Sequence, residues 1–154
     1  MKIFIRAIGK PHDPQIKKAI DDFSARIGHY YPLEWKIFPA KKITDQHEQM
    51  LAESELLLKN IGPDDFLVGL DEHGKQMTSP ALAAFIEKQS IQSVKNLIFI
   101  IGGAFGLNQH LLKRCNFIWS LSELTFPHQL VRLILAEQIY RACTIIRNEK
   151  YHHS

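Results

Sequence analysis

The sequence predicts an open α/β sheet, mostly parallel, with helices on both faces. Apolar stretches of strand length alternate with stretches in which apolar residues recur at helical spacing. Residues 97–101 are apolar without alternation, as expected for a central parallel strand that is covered on both sides. Apolar residues make up 45% and charged residues 23% of the 154 residues, a balance that suits one packed core. We therefore expect residues 1–154 to form a single domain.

The first part of the chain contains two strand and helix pairs. Residues 1–9 are predicted as a strand and residues 13–32 as an amphipathic helix. The apolar positions of this helix recur at helical spacing and are Ile16, Ala19, Ile20, Phe23 and Ile27. Residues 33–39 are predicted as the second strand, and residues 43–62 as a second helix that ends near Gly62.

The middle of the chain adds a third pair and a central strand. Residues 64–71 are predicted as a strand that is closed by a turn at DEHGK, residues 71–75. Ser79 and Pro80 form a helix start signal, so residues 79–90 are predicted as a helix. Residues 96–103 contain the continuous apolar run and are predicted as the fourth strand.

The last part of the chain ends in a long helix. A short helix at residues 108–115 and a strand at residues 116–122 precede it, and the long helix is predicted to begin near Thr125. Ser122 and Thr125 can cap this helix, with Pro127 in its first turn, where the missing N–H costs nothing.

Three loops are candidates for a ligand site, because ligands of open parallel sheets bind beyond the carboxyl ends of the strands. They are LDEHGK after the third strand, GGAFGL after the fourth and SLSELTFP after the fifth. Gly102, Gly103 and Gly106 would let a flat ligand approach the backbone, although glycines after a strand can equally serve only to turn the chain. Their GGxxG spacing is not the dinucleotide fingerprint, and the sequence has no GxxxxGK[ST] phosphate loop. This argues against NAD and ATP as ligands.

The long helix carries polar residues inside an apolar pattern. Glu137 and Arg141 are four residues apart and are predicted to form an ion pair. His128 and Arg132 have the same spacing and lie nearer the ligand end, so they are better candidates to face a site. A helix that is apolar on more than one face also suggests that a second subunit covers it, and we expect a homodimer.

The C-terminal segment RNEKYHHS is basic and contains an aromatic ring. Tyr151 could stack on a base while Arg147, Lys150, His152 and His153 meet phosphates. A charged terminus is more often a frayed tail, and the sequence alone leaves both interpretations open.

The sequence shows no motif for metal binding or nucleophilic catalysis and no segment that would direct the protein to a membrane or out of the cell. The histidines form no HExxH or HxH pattern, so we expect no metal site, and there is no GxSxG nucleophile motif. The net charge of +3 permits a polyanionic partner without requiring one. We predict a cytoplasmic protein, because no signal peptide or membrane span is recognisable and the only cysteines, Cys115 and Cys143, fit buried thiols.

Four blocks of the sequence, in order, resemble the small SPOUT-class methyltransferases that modify N3 of a pseudouridine in 23S ribosomal RNA. The blocks are LDEHGK, IIGGAFGL, SLSELTFPHQLVRLILAEQIYRA and the terminal YH, and the resemblance runs nearly the whole length of the chain. It implies an S-adenosylmethionine-dependent enzyme that acts on 23S rRNA, forms a homodimer and ties the C-terminal part of its sheet in a trefoil knot. We expect no metal, no DNA partner and no membrane partner.

The resemblance also implies roles for individual residues. It assigns the methyl donor to nine positions, namely Leu70, Gly102, Gly103, Ser122, Glu123, Leu124, Thr125, Phe126 and Pro127. It puts Tyr151 and His152 near the reacting centre, beside the donor site of the other subunit. The base that removes the proton from the nitrogen stays open: His152 is chemically plausible, and Tyr151 or Arg132 could instead stabilise the developing anion.

The chain departs from the family at its end. Relatives usually carry a Lys or Arg after the Tyr-His pair, whereas this chain has His153 and then Ser154. A fixed cation is thereby replaced by a side chain that titrates near neutrality. Two other functions remain open at this stage, a SPOUT ribose methyltransferase acting on transfer RNA and a non-catalytic RNA-binding dimer that has lost the donor site.

Overall fold

The computed structural model describes residues 1–153 and contains a five-stranded sheet in which every pairing is parallel. The strands are β1 (Lys2–Ile8), β2 (Leu33–Phe38), β3 (Phe66–Lys75), β4 (Asn96–Ile101) and β5 (Phe117–Trp119). The helices are α1 (Pro14–Ile27), α2 (Gln46–Leu57), α3 (Ser79–Ile91), α4 (Gln109–Arg114) and α5 (His128–Ile146). The strand order is β2-β1-β4-β3-β5, which confirms the predicted open parallel sheet. Ser154, the residue that follows His153 where the chain departs from the family, lies outside the described residues.

Helices cover both faces of the sheet, as predicted. Side chains of α1, α3 and α5 share one apolar cluster with the sheet, and side chains of α2 and α4 share the other. The central strand β4 shows why its apolar run is continuous. Leu97, Phe99 and Ile101 enter the first cluster, while Ile98 and Ile100 enter the second. Full burial of each such side chain stabilises the fold by roughly 1.5–3 kcal/mol.

Four helices begin at a residue whose side chain accepts a hydrogen bond from a backbone N–H of the first turn. These caps are Asp13, Asp45, Thr78 and Asn108. Asp45 explains why α2 starts at Gln46, three residues later than predicted from the apolar pattern.

The turn predicted at residues 71–75 is wrong, because β3 continues to Lys75. The register shifts between Leu70 and Lys75, and the strand then pairs again with β5, where the N–H of Ser120 donates to the carbonyl of Lys75 at 3.0 Å. Gly74 permits this approach, since a Cβ there would lie 2.7 Å from the carbonyl carbon of Ile118. Irregularities of this kind are frequent next to functional sites, and here residues 71–73 lie within one.

The predicted start of the long helix is also wrong. Helix α5 begins at His128, its N-terminal neighbour Pro127 offers no side-chain hydrogen bond, and neither Ser122 nor Thr125 caps it. Ser122 Oγ instead accepts a hydrogen bond from the N–H of Leu124 at 3.0 Å. Residues 120–127 therefore form a loop of their own between β5 and α5.

Helix α5 returns across the sheet to the loop that follows β1. Arg132 Nη1 donates to the carbonyl of Lys10 at 2.8 Å, and Gln129 Nε2 donates to the carbonyl of Pro11 at 3.1 Å. In the sheet, β3 and β4 lie between the edge strand β5 and strand β1. The chain that runs from β5 through α5 to the loop after β1 therefore crosses the carboxyl ends of β3 and β4. Within residues 1–153, none of the helices has the length and apolar character needed to span a bilayer.

Candidate functional site

A cavity of about 590 Å³ lies at the carboxyl ends of β3, β4 and β5. Its walls come from residues 70–73 of β3, from the end of β4 with the following turn (101–107), and from the stretch that runs from the last residue of β5 to the first turn of α5 (119–131). The three loops selected by the strand-end rule therefore meet around one space. Its volume is in the range of sites that bind small molecules.

Most of the residues predicted to hold a ligand line this cavity. They are Leu70, Gly102, Gly103, Ser122, Leu124, Thr125 and Phe126. Glu123 and Pro127 belong to the same loop but are not among the lining residues. His128, predicted as a candidate to face a site, is one of them.

The glycine turn brings backbone rather than side chains to the cavity wall. The N–H of Gly106 donates to the carbonyl of Gly103 at 3.0 Å, and Gly106 has a φ of +78°, which side chains rarely allow. A Cβ on Gly102 would lie 2.7 Å from the carbonyl carbon of Gly106. Glycine is therefore required for the turn itself.

Glu53 lies directly behind this turn and was missed in the sequence. The side chain is on α2, and the residue is only 3% exposed. A Cβ on Gly103 would lie 2.8 Å from Glu53 Oε1 and 3.1 Å from Oε2, so the carboxylate is packed against the Gly103 backbone. Oε2 has no hydrogen-bond partner in the described structure. Burial raises the pKa of Glu53 above its ordinary value, against weaker lowering by hydrogen bonds from the Lys41 backbone and the Gln49 side chain.

Trp119 was also missed in the sequence, and unlike Glu53 it lines the cavity. It is 3% exposed, and its ring meets that of Phe99 edge to face with centroids 6.1 Å apart. Its indole N–H has no partner in the described structure. The available signal was its position, because it is the last residue of β5 and so stands at the carboxyl end of the sheet.

His128, which lines the cavity, and Arg132 are one turn apart on α5, and His12 lies beside Arg132. Burial and, second, the Arg132 charge lower the pKa of His128 below its ordinary value, so the imidazole is neutral at pH 7. Arg132 is completely buried, burial lowers its pKa, and its Nη1 lies 3.3 Å from His12 Nδ1. Arg132 is not among the cavity-lining residues, so its tentative catalytic role stays a prediction.

The C-terminal segment folds back on α5. Arg141 Nη2 contacts Glu137 Oε1 at 2.6 Å, which confirms the predicted ion pair. Tyr151 Oη donates to the same Glu137 oxygen at 3.1 Å, and His152 Nδ1 lies 3.2 Å from Arg141 Nη1. Tyr151 and His152 are half-buried, whereas His153 is exposed. The structure thus holds the Tyr-His pair against the helix, which opposes the interpretation as a frayed tail.

The Tyr-His pair does not reach the cavity of its own chain. Neither Tyr151 nor His152 is among the lining residues. The two residues bind at Glu137 and Arg141, and Glu137 is about 13 Å along the α5 axis from the cavity residue His128. Among residues 1–153, no cluster of three or more His, Cys, Asp or Glu side chains is arranged to hold a metal ion.

Comparison with known proteins identifies relatives over the full chain. A family model described as "Predicted SPOUT methyltransferase" matches residues 1–152. Three relatives named ribosomal RNA large subunit methyltransferase H, from Christiangramia forsetii, Trichlorobacter lovleyi and Geobacter metallireducens, are each 42% identical to this chain. The alignments cover 99%, 99% and 100% of this chain and 99%, 100% and 100% of the respective relatives.

A solved structure shares the fold. The tRNA (m1G37) methyltransferase from Aquifex aeolicus superposes with a TM-score of 0.56, covering 92% of this chain and 70% of that chain at 12% identity. At such low identity the similarity concerns the architecture of the sheet and helices alone.

Proposed function

The chain belongs to the SPOUT methyltransferase family, and from this premise we propose that it methylates large-subunit ribosomal RNA with S-adenosylmethionine as the methyl donor. The observation that carries the proposal is the full-length match to large-subunit rRNA methyltransferases, whose motif blocks in this chain converge on one cavity. We propose N3 of a pseudouridine in 23S rRNA as the target, following the resemblance of the same blocks.

The cavity fits the donor in size and in the character of its walls. A flat adenine ring needs backbone and small side chains nearby, and the Gly102 to Gly106 turn supplies them because no Cβ could be accommodated at Gly102. We assign donor binding to Leu70, to Gly102 and Gly103, and to residues 122–127. Trp119 adds a buried N–H without a protein partner, which suits a polar ligand atom. When bound, the donor supplies an electrophilic methyl group carried on a positively charged sulfur.

The contribution of the protein to the reaction is mainly alignment, since the donor is already activated. Tyr151 and His152 are proposed to hold the target base, with the tyrosine stacking on it. Glu137 and Arg141 position these two residues through the hydrogen bonds described above. The target nitrogen must also lose a proton, and His152 is the proposed acceptor, while Tyr151 or Arg132 stabilises the anion that develops.

These assignments require a homodimer. The Tyr-His pair is held at Glu137, about 9 Å along α5 from Val131, the nearest cavity-lining residue of that helix, and neither residue of the pair lines the cavity of its own chain. We propose that the pair serves the cavity of a second copy. Large apolar side chains beside the cavity and on α5 are exposed in the single chain, with Leu124 70%, Phe105 44% and Leu130 38% exposed. Burial of this surface in a second subunit would stabilise the dimer.

The path of α5 supports a knotted C-terminal region. The chain leaves the β5 edge, crosses the ends of β3 and β4 and bonds to the loop after β1. We propose that this return passes through the β3 to β4 connection as a trefoil knot, within a single domain of residues 1–154. The proposed substrate implies a cytoplasmic location.

Two measurements test the function. Calorimetry should detect one S-adenosylmethionine site per chain. Mass mapping of rRNA from cells with and without the protein should then reveal one methylated pseudouridine in 23S rRNA that depends on the protein. Donor binding together with unchanged rRNA methylation would refute the substrate, and absence of donor binding would refute the enzyme.

A further inference from the structure

The charges around the cavity are unusual for a protein of net positive charge. The chain carries a formal net charge of +3, yet the lining residues include no Lys or Arg. The fixed charges among them are the carboxylates of Asp71 and Glu72, and the two lining histidines are His73 and His128. The wall is therefore suited to a cationic ligand.

Glu53 places a third carboxylate behind the same wall, and this one is buried. Its oxygens lie against Gly103, which itself lines the cavity, although Glu53 is not a lining residue. A buried charge costs free energy unless it is compensated, and its field is screened less than that of an exposed charge. Oε2 has no partner among the described residues, and none of the influences on the pKa of Glu53 is a charged side chain. A cationic ligand in the cavity would supply such compensation.

A role in holding the glycine turn does not explain the position of Glu53. The influences that lower the pKa of its carboxylate come from the Lys41 backbone and the Gln49 side chain, neither of which belongs to the turn. The turn is closed by its own Gly106 to Gly103 hydrogen bond. What remains is the electrostatic effect of the charge on the cavity.

We propose that Glu53 is an electrostatic selector that makes the cavity prefer the positively charged sulfonium donor over the neutral thioether product. The inference rests on the proposed function. Removal of the methyl group converts a sulfur of charge +1 into an uncharged thioether, because the electron pair of the broken S–C bond stays on sulfur. Donor and product carry the same amino acid and adenosine groups, so the sulfur charge is the electrostatic difference between them. A buried carboxylate next to the cavity acts on that difference and favours replacement of spent product by fresh donor.

The test is calorimetry of three ligands with four proteins. The ligands are S-adenosylmethionine, S-adenosylhomocysteine and sinefungin, an analogue in which a carbon atom that carries an amine replaces the methylated sulfur. The proteins are the wild type, Glu53→Gln, Glu53→Met and the control Glu55→Gln, which removes an exposed carboxylate from the same helix. We expect both Glu53 variants to lose about tenfold of the preference for donor over product, equal to about 1.4 kcal/mol. Sinefungin should follow the donor, and Glu55→Gln should match the wild type.

The outcomes separate the inference from its premise. Equal weakening of all three ligands by both Glu53 variants would make Glu53 a support of the glycine turn and overturn its role as selector. An unchanged preference in either folded variant would overturn it as well. If the wild type binds neither donor nor product, the proposed function is refuted, and the proposed role of Glu53 is refuted with it.

Discussion

Tyr151 donates a hydrogen bond to Glu137 across a distance of 3.1 Å, and this contact ties the end of the chain to the middle of α5. The guanidinium of Arg141 contacts the same carboxylate oxygen and lies 4.8 Å from the centre of the Tyr151 ring. The Tyr-His pair is thereby held in a position where it does not contact the cavity of its own chain. This arrangement is expected if the pair completes the site of a second subunit.

Deletion of residues 151–154 should separate donor binding from methyl transfer. The deletion leaves the cavity walls intact, so we expect wild-type affinity for S-adenosylmethionine and an unchanged dimer. Methyl transfer should fall at least a hundredfold, because the target base loses the groups that position it. Single-turnover methylation beside donor titration measures both quantities. Full activity of the truncated protein would return the tail to a merely structural role.

The single substitution Tyr151→Phe refines that experiment. It removes the hydroxyl that bonds Glu137 but keeps the ring, at a stability cost of about 0.5–1.5 kcal/mol. If stacking on the base is the main function of Tyr151, the variant should keep most of the activity that the deletion loses. Activity as low as that of the deletion would instead assign the function to the hydroxyl.

The exposed apolar side chains of α5 predict a dimer at micromolar concentration. Leu130 is 38% exposed, and Leu130→Glu would place a charge in the proposed interface. We expect this variant to sediment as a monomer that still binds donor but transfers no methyl group. Ile91→Glu is the matched control, because Ile91 is 75% exposed at the end of α3, far from the carboxyl ends of the strands. A wild-type monomer with full activity would contradict a shared site.

Gly103→Val should weaken donor binding at least tenfold while the fold survives. A Cβ at this position would lie 2.8 Å from Glu53 Oε1, so the side chain and the turn must move apart and the cavity wall with them. Gly62→Ala is a control, since the nearest atom to a Cβ there is 3.8 Å away. Circular dichroism reports the fold and calorimetry the affinity. Unchanged donor affinity in Gly103→Val would remove Gly103 from the site.

Sequence patterns predicted the parts of this structure that depend on local spacing. The alternation of strands and helices, the continuous apolar run of β4 and the Glu137 to Arg141 ion pair all follow from residues close together in the chain. The continuation of β3 to Lys75 could not be predicted, because it depends on pairing with Trp119. The residues DEHGK are typical of a turn, and nothing in that segment indicates that Lys75 pairs with Trp119.

The same reason explains why Glu53 was missed. A glutamate in an amphipathic helix is usually solvated, and nothing near Glu53 in the sequence indicates burial. Its burial depends on Gly103, fifty residues further along, which leaves the space that the carboxylate occupies. The glycine block was recognisable, but the residue that fills the space behind it was not.

The buried carboxylate of Glu53 predicts a stability that depends on pH. Burial raises its pKa above the ordinary value of 4.5, so the folded protein favours the neutral acid more strongly than the unfolded chain does. Below pH 4.5 the group is protonated in both states and costs nothing. As the pH rises from 4.5 toward the raised pKa, the folded state keeps a proton that the unfolded state has lost, and wild-type stability declines.

Glu53→Gln removes this pH-dependent cost. We expect the variant to unfold at a higher temperature than the wild type at pH 8, by about 2–4 °C for each kcal/mol recovered. The cost of a buried unsatisfied group is about 1–3 kcal/mol, and the amide of glutamine recovers only part of it. The difference between the two melting temperatures should shrink steadily as the pH falls toward 4.5, because the wild-type carboxylate becomes neutral there.

Glu55→Gln, on the exposed side of the same helix, should show no such trend. A melting temperature that is lower in Glu53→Gln at pH 8, or a difference that does not vary with pH, would mean that the carboxylate is already compensated within the protein.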